Sequence, residues 1–102
     1  MIDLLTRFEA RDEEAAARFA ERLAEVAVEV LSEPGHVSYA AYRTEEEPRT
    51  LFVLERWQTR TDADRHIALS AEGPANQQAL ALLVGPPHTV SLVPTTPEGT
   101  TR

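Results

Sequence analysis

Cysteine is absent from all 102 residues of this chain. That excludes disulfides, thiolate nucleophiles, iron–sulfur clusters and cysteine-ligated zinc, and it leaves the redox compartment open. Glycine is scarce too, occurring only at positions 35, 73, 85 and 99. A phosphate-cradling loop needs glycines close together, so nucleotide cofactors have no recognisable seat and no cofactor is expected. Positive charge is the third scarcity: 10 Lys and Arg face 17 Asp and Glu, for a formal net charge of −7. Without a basic cluster, neither nucleic acid nor an anionic membrane is expected as a partner. The acidity reads as a solubility feature. No apolar run approaches the roughly 18 residues of a membrane span. The start, MIDLLTRFEARDEE, lacks the pattern of a signal peptide, and the cytoplasm is the expected location. His36, His66 and His88 lie far apart with no ligand spacing, so no metal site is expected. No Gly-x-Ser-x-Gly elbow is present.

What remains is a chain of ordinary globular composition, long enough for one core and too short for two domains. Residues 2–10 predict a first strand with Ile2, Leu4, Leu5 and Phe8 as buried candidates. Asp12 stands where an N-cap belongs, and Glu13 and Glu14 follow in the first turn, where carboxylates suit the helix dipole. Ala16, Phe19, Leu23, Val26 and Val30 then recur at steps of three and four, one apolar stripe of a long helix. Pro34 and Gly35 end it.

Two extended runs, His36–Arg43 and Arg49–Trp57, flank the polar segment TEEEP and predict an antiparallel hairpin. In the second run Leu51, Val53, Glu55 and Trp57 share one face, and Phe52, Leu54 and Arg56 share the other. Both faces are largely apolar, so both need a cover. One cover is this chain's own helices; a homodimer through Phe52, Leu54 and Arg56 is the expected second. A capping box at Thr61 and Asp64 predicts a short helix reaching about Ser70. Pro74 opens another helix carrying Ala75, Ala79, Leu82 and Leu83, and HTVSLVP reads as a closing strand. The domain is expected over 1–94, with residues 95–102 as a flexible tail. The order strand, helix, strand, strand, helices, strand is that of an α+β, ferredoxin-like split β-α-β sandwich. That fold does not name a chemistry.

The residues do resemble a family. Pro34, Gly35, Ser38 and Tyr39, then Glu55, Arg56 and Trp57, then His66, stand in the order and spacing of the antibiotic biosynthesis monooxygenase (ABM) family, over about residues 2–94. The resemblance implies a dimeric α+β barrel with a cavity between sheet and helices. Known members include cofactor-free monooxygenases that turn anthrones or quinols into quinones; others degrade heme or isomerise small metabolites. The tryptophan of the anthrone-oxidising members falls on Trp57, but their asparagine falls on Val53 and their tyrosine on Ala63. The heme degraders' first-strand asparagine is missing from residues 2–8, their helix tryptophan falls on His66, and the segment of their histidine is Asn76–Gln78. Heme is therefore not the expected substrate. The quinol-oxidising members carry a histidine at the position of His66, often followed by a second Pro-His, where this chain has SAEGP.

Several residues are candidates for the site. His66 shares a helix face with Ala63 and Ser70, and an imidazole at an apolar cavity suits the work of a base toward a phenol or an acidic C–H. The plainer alternative is a structural histidine bonded to Ser70, Asp62 or a backbone group. Glu55, between Val53 and Trp57 on an inward face, is costly to bury unless paired or protonated, so it is either half of an ion pair or a second acid–base group. Trp57 and Tyr39 are the candidate flat walls for an aromatic ligand, with Val53 and Ser70 beside them, although a tryptophan there also serves the core. The expected function is a cofactor-independent monooxygenase acting with O2 on a small hydroxylated aromatic or quinol. The alternatives are a non-catalytic ligand-binding dimeric module and a cofactor-free isomerase on the same barrel.

Overall fold

A computed structural model describes residues 1–97; of the tail expected over 95–102, residues 98–102 lie outside the described part. The elements run β1 (Ile2–Glu9), α1 (Glu13–Glu29), a 3-10 turn (Val30–Ser32), β2 (His36–Arg43), β3 (Thr50–Trp57), α2 (Arg60–Leu69), α3 (Pro74–Leu80) and β4 (His88–Leu92). The four strands form one antiparallel sheet in the order β2-β3-β1-β4. This is the expected α+β, ferredoxin-like arrangement, with β3 inserted between β1 and β2. No helix among the described residues is long and apolar enough to cross a membrane.

The local chemistry explains the borders. Asp12 caps α1, its carboxylate accepting the Ala15 N–H at 2.7 Å. On α1 the residues Ala16, Phe19 and Leu23 are buried against the sheet, as their spacing requires. Gly35 sits at φ +79°, and a Cβ there would fall on the carboxyl of Asp62, so two independent reasons demand glycine. The Gly35 carbonyl also accepts the Gln58 N–H at 2.8 Å, tying the start of β2 to the entry of α2.

The structure corrects two sequence expectations. The cap of α2 is Thr59, not Thr61: its hydroxyl accepts the Asp62 N–H at 3.1 Å and donates to the Asp62 carboxylate at 2.8 Å. Both threonines precede an aspartate by three residues, so the pattern alone does not choose between them. Leu82 and Leu83 lie beyond α3, although both are buried. Their backbone pairs with the end of β1 instead: Arg11 N–H donates to the Leu82 carbonyl, and Ala10 bridges Leu83.

Two apolar clusters fill the space between sheet and helices. One joins Phe19 and Leu23 to Leu51, Val53, Ala79, Leu82 and Leu83; the other joins Leu4, Val30, Trp57 and Ala63. Tyr39 packs against both. The opposite sheet face carries Leu5, Ala40, Tyr42, Phe52, Leu54, Val90 and Leu92 by strand register. Of these Tyr42, Leu54, Val90 and Leu92 are 39–56% exposed, so nothing among the described residues covers that face.

Candidate active site

A cavity of about 270 Å³ opens between the sheet and the helices. Phe8, Phe19, Leu23, Val26, Val53, Ala79 and Leu80 supply most of its wall. Thr6, Arg22, Tyr39, Glu55, His66, Ser70, Asn76 and Thr89 supply the polar positions. Alternation along β3 aims Val53 and Glu55 inward, and the α2 helix places His66 opposite them.

His66 is buried, and four side chains surround its ring. Its Nδ1 lies 2.9 Å from Glu33 Oε1, and its Nε2 lies 3.8 Å from Glu55 Oε2. Its ring stacks on Trp57, centroids 4.7 Å apart and planes at 28°, while Tyr39 approaches edge-on at 6.1 Å. An ionised carboxylate only accepts, so a neutral imidazole in this contact would carry its proton on Nδ1 and have its lone pair at Nε2.

Glu55 is 5% exposed, and its Oε1 accepts the Trp57 indole N–H at 2.9 Å. Burial pushes its carboxyl above the ordinary 4.5, against the opposing pull of a charged His66 and the indole N–H. Burial, helped by the negative charge of Glu55, likewise pushes the Tyr39 hydroxyl upward. Arg22 is the cation at the wall, and its N–H groups go to Glu25, Glu29 and Asn76 at 2.9–3.1 Å. Those bonds engage all three guanidinium nitrogens, so Arg22 pins α1 to α3 rather than offering the cavity a free charge.

The structure brings His66, Glu55, Tyr39, Val53 and Ser70 to one cavity, and it departs from expectation at three points. Trp57 is fully buried and does not line the cavity: its face is covered by His66, and His36 meets it edge-on at 5.8 Å. It is therefore the backing of the imidazole, not a wall for a ligand. Ser70 lines the cavity, but its hydroxyl donates to the Ile67 carbonyl at 2.7 Å instead of reaching His66. The partner of His66 is Glu33, which no helix periodicity marks, because the contact spans 33 residues. Its only sequence signal is its place directly before Pro34-Gly35. Arg22 is not among the expected site residues; its sequence signal is its place one turn from Phe19 and Val26 on α1. Among the described residues no group of three or more His, Asp or Glu side chains is arranged to hold a metal ion.

A sequence model described as "Antibiotic biosynthesis monooxygenase" matches residues 1–71. The chain belongs to the ABM family. Among curated proteins nothing matches it. Solved structures do resemble it closely. An antibiotic biosynthesis monooxygenase, so described without proof of activity, from Deinococcus radiodurans superposes with TM-score 0.77 at 17% identity, covering 100% of both chains. Rv0793 from Mycobacterium tuberculosis does so at 0.73 and 22%, covering 96% of this chain and 98% of that one. SnoaB from Streptomyces nogalater, a cofactor-independent oxygenase, gives 0.73 at 18% identity and covers 97% of each. At such identities the likeness establishes the ABM fold and no more.

Proposed function

We propose that this ABM protein is a cofactor-independent monooxygenase that oxidises a small hydroxylated aromatic or quinol with O2. One observation carries the reading: an imidazole with a carboxylate on Nδ1 turns its Nε2 toward Glu55 at the wall of a mostly apolar cavity. The His66 base takes the substrate's O–H or acidic C–H proton, and the electron-rich anion passes one electron to O2. The two radicals combine into a peroxide whose breakdown leaves a new carbonyl. Overall, substrate and O2 become quinone and water, with two substrate hydrogens leaving on one oxygen. The mostly apolar wall strengthens the pairing of the anion with the imidazolium.

The cavity volume lies just below the roughly 300–1,000 Å³ usual for ligand pockets, which favours a compact phenol or naphthol over an extended polycycle. Arg22 is already occupied by carboxylates, so a substrate arriving uncharged suits the site better than a carboxylate. We further propose a homodimer through the sheet face of Phe52, Leu54 and Arg56, because its apolar side chains are otherwise left in water. Within that face Arg56 is anchored by Asp3 at 2.6 and 3.0 Å.

Oxygen uptake with a panel of phenols, naphthols, quinols and anthrones tests the reading. Consumption of O2 with matching quinone formation is expected for at least one compact member, and it should vanish in His66→Ala. Turnover that persists without O2 would make the protein an isomerase. Binding without turnover would make it a ligand module.

A further inference from the structure

The contact between Glu33 and His66 joins two parts of the chain that share no element. Glu33 closes the 3-10 turn after α1, where its backbone N–H donates to the Val30 carbonyl at 3.0 Å. Its carboxylate then crosses to α2 and meets Nδ1 of His66 at 2.9 Å, with side-chain exposures of 21% and 8%. Such a position is not a solvated surface pair, for which a flexible glutamate in water gains little. The next residue, Pro34, fixes its own φ and restricts Glu33 to extended backbone, which Glu33 has at φ −79° and ψ 139°. Gly35 follows in the left-handed region, packed on Asp62 of α2. The Glu-Pro-Gly segment therefore delivers a carboxylate to one nitrogen of one ring.

We propose that Glu33 is the positioning residue of this site: it holds His66 in the Nδ1–H tautomer, so that Nε2 is the atom that accepts the substrate's proton. The assignment rests on the reading of His66 as the base. In the step itself the substrate O–H bond breaks, an Nε2–H bond forms, and the ring becomes an imidazolium paired with the substrate anion. Glu33 keeps its charge throughout and stabilises that imidazolium through Nδ1–H. The other tautomer would leave Nε2 protonated and unable to act as a base. Glu33 faces the Nδ1 edge of the ring, Glu55 the Nε2 edge, Trp57 one flat side, and Tyr39 stands edge-on. Glu33 is thus the carboxylate within hydrogen-bond distance of the ring, and Glu55, at 3.8 Å, is not.

Long-range proton–nitrogen NMR of the imidazoles tests this directly, because it reads the tautomer with no substrate present. Spectra are recorded at alkaline pH, where imidazoles are neutral, and His66 is assigned by its loss in His66→Ala. The wild-type ring should be Nδ1–H. In Glu33→Gln the amide oxygen still accepts, so the tautomer should persist, whereas Glu33→Ala should shift the ring toward Nε2–H. With a turned-over substrate, kcat should fall about a hundredfold in Glu33→Ala, the scale of a misplaced catalytic group, with KM little changed, and Glu33→Gln should recover part of the loss. A wild-type ring found as Nε2–H, or a tautomer that Glu33→Ala leaves untouched, overturns the assignment even if Glu33→Ala folds poorly. A correct tautomer in a protein with no oxygenase activity would instead leave Glu33 as the organiser of His66 and remove the oxygenase reading.

Discussion

The indole of Trp57 lies flat against the imidazole of His66, and its N–H points sideways to Glu55. One side chain thus sets the plane of the base and holds the neighbouring carboxylate. Trp57→Ala should cost roughly 3–5 kcal/mol, since it empties a fully buried site. Trp57→Phe keeps an aromatic face but deletes the donor, so it should cost about 1–3 kcal/mol and leave Glu55 short of a partner. His66→Ala should cost less than Trp57→Ala, about 1–3 kcal/mol, while abolishing most turnover. Urea denaturation beside oxygen uptake separates the two kinds of loss. A His66→Ala protein with full activity would strip the enzyme reading of its base.

Glu55 makes stability depend on pH with a definite sign. Its folded carboxyl is raised above the ordinary 4.5, chiefly by burial. The folded state therefore binds this proton more tightly than the unfolded chain. The contribution is fully present below about 4.5 and is lost as the pH rises through the folded value. Glu55→Gln cannot ionise, yet its amide oxygen still accepts the Trp57 N–H. The melting temperature of Glu55→Gln should accordingly gain on wild type as the pH is raised from about 4.5 toward neutrality. A gap that stays constant or closes over that range would show that Glu55 is not held in a costly charged form.

Gly35→Ala should be among the most damaging changes of a small residue in the chain. The positive φ and the Asp62 carboxyl each resist a Cβ, and a strained residue of this type costs about 1–3 kcal/mol before any clash is counted. Asp62→Gly removes the clash but not the strain. The double variant should consequently be less destabilised than the sum of the single ones, by about 1 kcal/mol. Strict additivity in denaturant midpoints would mean that the two residues do not press on one another.

Most of the fold was legible because it is local. The α1 stripe, the hairpin alternation and the Pro34-Gly35 stop all express spacing or backbone chemistry within a few residues, and the structure keeps them. The α2 cap slipped by two positions because Thr59 and Thr61 offer the same pattern. The early end of α3 comes from pairing with Ala10 across the molecule, which no local signal carries. The candidate site divides along the same line. Val53, Glu55 and His66 follow from strand and helix faces. Glu33 on His66, and Trp57 turned to back the ring, arise only when distant segments meet.

Leu54→Glu tests the dimer. In the proposed assembly it would place like charges near a symmetry axis inside an apolar contact, a cost of several kcal/mol. Light scattering should then find a dimer for the wild type and a monomer for the variant. A monomeric wild type at micromolar concentration would reject the assembly.

The chain has one tryptophan, and it lies against the imidazole on which the proposed chemistry depends. A charged imidazole in contact with an indole quenches its emission, whereas a neutral one does so far less. The protein therefore carries its own optical gauge of the charge on His66. Emission followed through a pH titration, with His66→Ala as the reference, reads that single ring in the unlabelled protein, although His36 at the far edge of the indole must be silenced in parallel by His36→Gln.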